Sequence, residues 1–572
     1  MAGTQHVSER ADELLTRTVR DKWRAIKEKK PERRALLELM ARFELTDAQA
    51  ERFYARESRD AAGIDASDAD LLANPYLLFE RDRRSQDPIS VWTIDRGAFP
   101  GSVRETHPLD EPSKVDNPTD RRRVRALAIA TLEAAATEGH TLQPRASLVT
   151  TIRTYALDPA CPVDGDLLDV VEDAFEPWIT VESMADGAPA YQLDRLRESR
   201  ETISRFLEKR LAGVRHGLPH DWAAVLDDLL GDDGLTEGEA EAERERRGRA
   251  EKAAALGELA ESRFSVLVGP AGTGKTTILR ALIQQPEIDA GDVLLLAPTG
   301  KARVRLETTT RHEAKTLAQF LIALDRYDER TGAYLLTGGD RIQAGKTVVV
   351  DEASMLTEEM LASLIDALSG VDRFILVGDP RQLPPIGAGR PFFDIVERLR
   401  PANVEAAFPR AATGYAELTV HRRHKGDEPD DVQLARWFSG QQPRATDDEI
   451  LGKVEEGLQS ERVRLVEWKT GEELRELLLD VLVEELSEVT SREDLPGFER
   501  SLGAIDSGDY RYFHRGNTAD PVIHVDESCP SLSARSAVPG RNVRFGGRGT
   551  AGWLPENEAT RVANARNCRH CW

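Results

Sequence analysis

The chain has 572 residues, 40% of them apolar, which is too long for one domain and enough for three or four ordinary cores. No apolar run reaches the roughly 18–20 residues that span a bilayer, and the N-terminus, MAGTQHVSERADELL, lacks the apolar segment of a secretory signal, so a cytoplasmic protein without membrane contact is expected. The formal charge of −23 excludes a protein that coats nucleic acid with its whole surface, but leaves room for a local basic groove.

Residues 1–115 read as a helical N-terminal region. Leu36, Leu37, Met40, Phe43, Leu45, Ala48, Phe53 and Tyr54 continue one apolar face, and Asn74-Pro75 pins a turn between two short apolar segments. Residues 116–215 form a second unit: a helix ending at Gly139, a helical stretch near residues 167–175, then the short strand candidates WITVE and AYQL. Helices followed by a hairpin suit a winged-helix-like module or a generic α+β packing domain. Residues 216–255 carry mixed-sign charge, as in EGEAEAERERRGRAEK, and read as a solvated helical connector.

From Phe264 the pattern becomes strand–loop–helix. FSVLVG, VLLLAP, TVVVDE and RFILVG are β-branched apolar runs, each followed by a turn and a helical pattern. The expected fold is α/β: a buried parallel sheet with helices on both faces over residues 256–405, preceded by the mostly helical modules.

GPAGTGKTT at residues 269–277 places G-x-x-x-x-G-K-T between a strand and a helix, the setting of a phosphate-cradling P-loop. Gly269, Pro270, Ala271, Gly272, Thr273, Gly274, Lys275, Thr276 and Thr277 are the expected nucleotide contacts, with ATP and Mg2+ as cofactors. The glycines let backbone N–H groups turn toward phosphate, and the helix N-terminus adds its dipole. Lys275 is expected on the β- and γ-phosphates and the Thr276 hydroxyl on Mg2+. Asp351 ends the VVV run and shares the Mg2+ role, while Glu352 is placed to polarise the attacking water. Gln382, in FILVGDPRQLPPIGAG at residues 374–389, is placed to sense the γ-phosphate.

These elements, with APTGKARVRL at residues 297–306, resemble the superfamily-1 DNA helicases of the RecD-like branch. The resemblance implies a RecA-like sheet and an ATP hydrolase that moves 5′→3′ on single-stranded DNA in repair or recombination. Its substrate would be single-stranded DNA or DNA with a single-stranded tail. It puts Pro298, Thr299, Gly300 and Lys301 against the DNA backbone, with Arg303 and Arg305 nearby; loop N–H groups and hydroxyls suit phosphates without reading bases. ANPYLL and EGHTLQP resemble the family's N-terminal region, where a helix-hairpin-helix module precedes a winged-helix-like one. ELTVHRRHKG at residues 417–426 resembles the motif whose arginine reaches the γ-phosphate, which gives that role to Arg423, with Arg422 the alternative and His424 where the family usually has Gln.

The family's adenine-reading glutamine has no counterpart between Ala223 and Phe264, and its later DNA and arginine motifs have none either. A second RecA-like domain is therefore expected only in part, over residues 406–518. Residues 519–572 form an irregular tail without lysine, rich in Arg, Ser, Pro and Gly, that reads like an out-of-frame GC-rich gene; a frameshift near residue 519 is the expectation. Cys568-x-x-Cys571 with Cys529 and His570 is the competing zinc reading. Two other functions stand beside the helicase: a DNA-binding P-loop ATPase that does not unwind, and an ATPase subunit of a recombination nuclease with partner proteins.

Overall fold

The computed structural model describes residues 31–99, 109–218, 220–231, 239–270 and 272–420, with isolated short stretches before and after. The chain divides into two units, Met1–Ile450 and Leu451–Trp572. In the second, Tyr512–His514 pairs antiparallel with Gly552–Leu554, and Val522–Ile523 pairs parallel with Arg566–Asn567. Almost all residues of the expected frameshifted tail, including Cys529, Cys568, His570 and Cys571, lie outside the described residues.

The N-terminal part of the first unit is helical, as its spacing predicts: Pro31–Met40 (α1), Asp47–Tyr54 (α2), Asp68–Ala73 (α3), Val91–Ala98 (α4) and Arg121–Thr137 (α5). Thr46 and Ser67 close capping boxes on α2 and α3, which fixes where those helices start. Gln143–Pro144 (β1), Arg145–Thr154 (α6) and the hairpin Ile179–Ser183 (β2) and Pro189–Leu193 (β3) follow, in a sheet of order β1-β3-β2. The two modules expected on either side of residue 115 share one core, in which Leu36, Phe53, Tyr76 and Ile94 join Val124, Leu127, Leu148 and Tyr191. Beneath it Arg123 makes a two-pronged pair with Asp95, at 2.7 and 2.8 Å, and Tyr76 donates to the same carboxylate at 2.7 Å.

Asp194–Leu211 (α7) carries the chain to the second layer, and Trp222–Leu230 (α8) and Glu239–Glu261 (α9) lead into the sheet. Its strands are Phe264–Val268 (β4), Val293–Ala297 (β5), Ala314–Thr316 (β6), Thr347–Val350 (β7), Arg373–Gly378 (β8), Arg410–Ala412 (β9) and Tyr415–Glu417 (β10). Helices Lys275–Ile283 (α10), Gly300–Thr310 (α11), Glu358–Ala367 (α12) and Pro391–Leu399 (α13) connect them. The order is β9-β10-β4-β8-β7-β5-β6, parallel throughout except for β9 against β10.

The central strands are buried along their length and mostly apolar because both faces are covered. Val266, Val348, Val350, Phe374 and Leu376 pack with α7, α12 and α13, while Leu267, Val349, Ile375 and Val377 pack with α9 and α10. Successive side chains of one strand thus serve opposite layers.

Two expectations change. The first ATPase sheet does not end at residue 405: β10 pairs parallel with β4, so residues 410–417 belong to it and not to a second domain. The charged segment is no solvated connector either. Glu251, Lys252, Arg249 and Glu258 of α9 are buried, because Ala255, Leu256, Leu259 and Ala260 on the same helix pack on the sheet and draw the charges in with them. Among the described residues no helix is long and apolar enough to cross a membrane.

Candidate functional site

The loop between β4 and α10 needs backbone angles that only glycine adopts without strain: Gly272 has φ +85° and Gly274 φ +92°. Gly269 is required for space, since a Cβ there would meet Thr273 Oγ1 at 2.9 Å and the Leu418 carbonyl at 3.0 Å. Thr273 Oγ1 donates to the Pro270 carbonyl at 2.9 Å and so braces the turn. Lys275 folds back over the loop, its Nζ donating to the carbonyls of Gly269 at 2.6 Å and Pro270 at 3.2 Å. Thr276 and Thr277 lie half-buried in the first turn of α10, and Ala271 lies outside the described residues.

Asp351 follows β7 and is buried. Burial, and then the neighbouring Glu352 charge, push its carboxyl up to about 6. Its Oδ1 accepts the Glu352 N–H at 3.0 Å. Glu352 itself has φ +53°, a conformation that costs a side-chain-bearing residue on the order of 1 kcal/mol or more and clusters at functional sites. Asp379, at the end of β8, is buried as well, and its Oδ1 accepts the Arg381 N–H at 3.1 Å. Gln382 is exposed, and its Oε1 accepts a hydrogen bond from Ser354 Oγ at 3.1 Å, which ties the loop after β8 to the loop after β7.

Burial lowers the Lys275 ammonium from its ordinary value, and the charges opposing that shift are Glu352, Asp379 and Asp351. The four groups therefore face one another at the C-terminal ends of β4, β7 and β8, where open parallel sheets bind ligands. These residues fit Mg2+ and a nucleotide triphosphate. A buried carboxylate with a raised pKa gains from a cation, and the glycine-lined turn with a helix N-terminus suits phosphate.

On the adjacent strand, β5 runs into Pro298 and Thr299, and Thr299 caps α11, its Oγ1 accepting the Ala302 N–H at 3.3 Å. Pro298 is half-buried, while Gly300 and Lys301 are exposed. Arg303 is paired along its own helix with Glu307 at 2.8 Å; Arg305 instead approaches Glu352. Arg423, with Arg422 and His424, lies outside the described residues.

Two further groups stand at the site without any motif to mark them. Glu251 accepts the backbone N–H groups of Thr419 at 2.9 Å and Val420 at 3.1 Å, with the Thr419 hydroxyl on its other oxygen. Lys252 lies beside the P-loop. Inside a run of mixed charge neither stands out, because only the packing of α9 shows which charges are buried. Among the described residues no cluster of three or more His, Cys, Asp or Glu forms a separate metal site.

Fold and site together define a P-loop nucleotide-binding site on a RecA-like parallel sheet. Residues 248–444 match the family described as AAA domain. The ATP-dependent RecD2 DNA helicase of Deinococcus radiodurans is 28% identical over 321 residues, 54% of this chain and 41% of that protein. The RecBCD enzyme subunit RecD of Mycolicibacterium smegmatis is 34% identical over 186 residues, 28% of this chain and 30% of that protein. A crystal structure of Bacteroides Pif1 bound to ssDNA overlaps with a TM-score of 0.25 at 18% identity, covering 41% of this chain and 55% of that one. The region around the P-loop is thus similar to that of RecD-like helicases. The chain spans under half the length of the two curated relatives.

Proposed function

We propose that this chain is a RecD-like motor that couples ATP hydrolysis to movement along single-stranded DNA. One observation carries the reading: β5 and β7 are adjacent and parallel, so the Pro298–Lys301 turn into α11 and the Asp351–Glu352 pair leave the same end of the sheet side by side. A strand lying on the first would sit next to the acids that govern hydrolysis.

The bound nucleotide supplies the phosphoryl bond and Mg2+ the charge that neutralises it. Lys275, Thr276 and Asp351 are the residues to hold that pair. Glu352 is the acid to orient water and accept its proton, and Gln382, tied to Ser354, links the two loops that flank it. Arg423 is assigned the γ-phosphate by resemblance alone. Thr299, Gly300 and Lys301 offer backbone N–H, hydroxyl and ammonium groups to phosphates, which positions DNA without reading its sequence. The order helix, β1, two helices, hairpin over residues 121–193 supports a winged-helix-like module for the N-terminal part. We place the protein in the cytoplasm, in repair or recombination, where the RecD relative's role as a RecBCD subunit makes protein partners worth seeking.

ATP hydrolysis by the purified chain, with and without single-stranded DNA, tests the proposal. Stimulation by single strands that is lost in Lys275→Ala is expected, and hydrolysis indifferent to DNA overturns it. Strand displacement on a 5′-tailed duplex then separates a helicase from an ATPase that binds DNA without unwinding it.

A further inference from the structure

The loop that carries Gln382 joins β8 to α13 and is fastened at both ends. Near β8, Gln382 accepts the Ser354 hydroxyl at 3.1 Å, and Arg381 reaches the buried Glu417 of β10 at 3.4 Å. At the far end, Ala388 is buried in the core of the N-terminal region, in one cluster with Leu132 and Ala136 of α5, and belongs to neither core of the sheet. The Gly389 N–H donates at 3.1 Å to the carbonyl of Gly139, in the turn that follows α5. The Ala388 carbonyl accepts the N–H of Glu358, the first residue of α12, at the same distance.

Between the two fastenings the loop has little support. Leu383 is 87% exposed and Ile386 is 99% exposed, so packing does not hold them. Pro384 and Pro385 fix two of the intervening φ angles, which makes the link stiff as well as short. A displacement of Ala388 and Gly389 therefore reaches Gln382 instead of being absorbed on the way.

The far fastening needs glycine. Gly389 has φ +81°, and a Cβ there would come within 2.6 Å of Glu358 Cγ. A second clamp sets the spacing of the helices on either side of it. Arg195 of α7 bridges Glu133 of α5 and Glu359 of α12, at 2.6 Å to each. Arg83 adds a bond to Glu133 at 2.9 Å, and Arg84 one to Glu359 at 3.2 Å.

We propose that the N-terminal region positions Gln382 for hydrolysis through this loop, with Gly139, Gly389 and Arg195 as the positioning residues. They act on the reaction through the carboxamide of Gln382, whose partner Ser354 lies two residues beyond Glu352. The N-terminal region is then part of the hydrolysis machinery and not a module carried beside it. Nucleotide affinity should not follow the loop, because the P-loop is built between β4 and α10. The inference rests on the γ-phosphate role proposed for Gln382.

Single-turnover ATP hydrolysis and equilibrium binding of a non-hydrolysable ATP analogue with Mg2+, both on the full chain, test it in a double-mutant cycle. Gly389→Ala should slow hydrolysis by about tenfold to 10²-fold, the scale of a misplaced reacting group, and leave analogue binding unchanged. In a Gln382→Ala background the same substitution should change hydrolysis by less than about twofold. Arg195→Met should slow hydrolysis in the same way, and Arg195→Lys should restore part of the rate. If Gly389→Ala does not fold, Arg195→Met takes its place in the cycle. Asp95→Leu with Arg123→Met, which alters the N-terminal core away from the loop, should leave the rate as it is. Losses that multiply in the Gln382→Ala background, or binding that falls as far as hydrolysis, overturn the positioning role and leave the nucleotide reading standing. Hydrolysis unaffected by Gln382→Ala removes the γ-phosphate role and this inference with it, and hydrolysis that survives Lys275→Ala sinks the P-loop reading as well.

Discussion

Arg305 Nη1 lies 3.9 Å from Glu352 Oε1, so a side chain on the helix that follows the proposed DNA-contacting loop reaches the acid assigned to activate water. A carboxylate held by a guanidinium is less free to turn toward water, and DNA phosphates would compete for the same arginine. Arg305→Ala should therefore raise hydrolysis without DNA and leave the rate at saturating single strands little changed. A half-exposed pair contributes about 0.2–1 kcal/mol, so the basal rate should rise by up to about fivefold. Steady-state hydrolysis titrated with oligonucleotide measures this, and an unchanged or lower basal rate refutes the link.

Lys275 and Glu352 separate binding from chemistry. Lys275→Ala should abolish or severely weaken nucleotide binding. Glu352→Gln should keep binding and slow hydrolysis on the order of 10²–10⁴-fold, as loss of a general base does. Calorimetric binding and single-turnover hydrolysis distinguish the two; equal effects on both quantities would contradict these roles.

Glu358, the first residue of α12, sits against Gly389, where a Cβ would come within 2.6 Å of its Cγ. Burial, then Asp394 and Glu359, push its carboxyl up to about 7 against the pull of Arg200. Its folded pKa is raised above the ordinary 4.5, so the folded chain binds more protons between those values. Stability from this group is then present at low pH and lost as pH rises toward 7. Glu358→Gln should be the more stable protein at pH 8, by up to ~3 kcal/mol, and should match the wild type near pH 4.5. Urea unfolding across that range checks both the sign and the window.

The Arg123–Asp95 pair is fully enclosed, and Asp95 also holds the Tyr76 hydroxyl. Asp95→Ala strands a buried guanidinium and should cost the N-terminal core about 3–5 kcal/mol. Replacing the pair together, as Asp95→Leu with Arg123→Met, should cost clearly less than the single change. Thermal unfolding of the three proteins decides, and equal losses would show that packing, and not the uncompensated charge, sets the penalty.

The layout of the candidate site was legible in the sequence. The P-loop, the Asp351–Glu352 pair and the loop bearing Gln382 are each a short turn after a run of buried apolar residues, and a parallel strand covered on both faces writes that run into consecutive positions. What surrounds that site emerged only from the folded chain. The burial of α9 depends on partners far along the sequence, since Arg215 pairs with Glu258 at 2.8 Å and Glu251 holds Thr419 and Val420. The same dependence put β9 and β10 in the first sheet, fused the two N-terminal modules into one core, and brought Arg305 to Glu352. Local periodicity records which residues prefer burial. It does not record which distant charge makes the burial of another charge tolerable, because that energy exists only once the two are side by side.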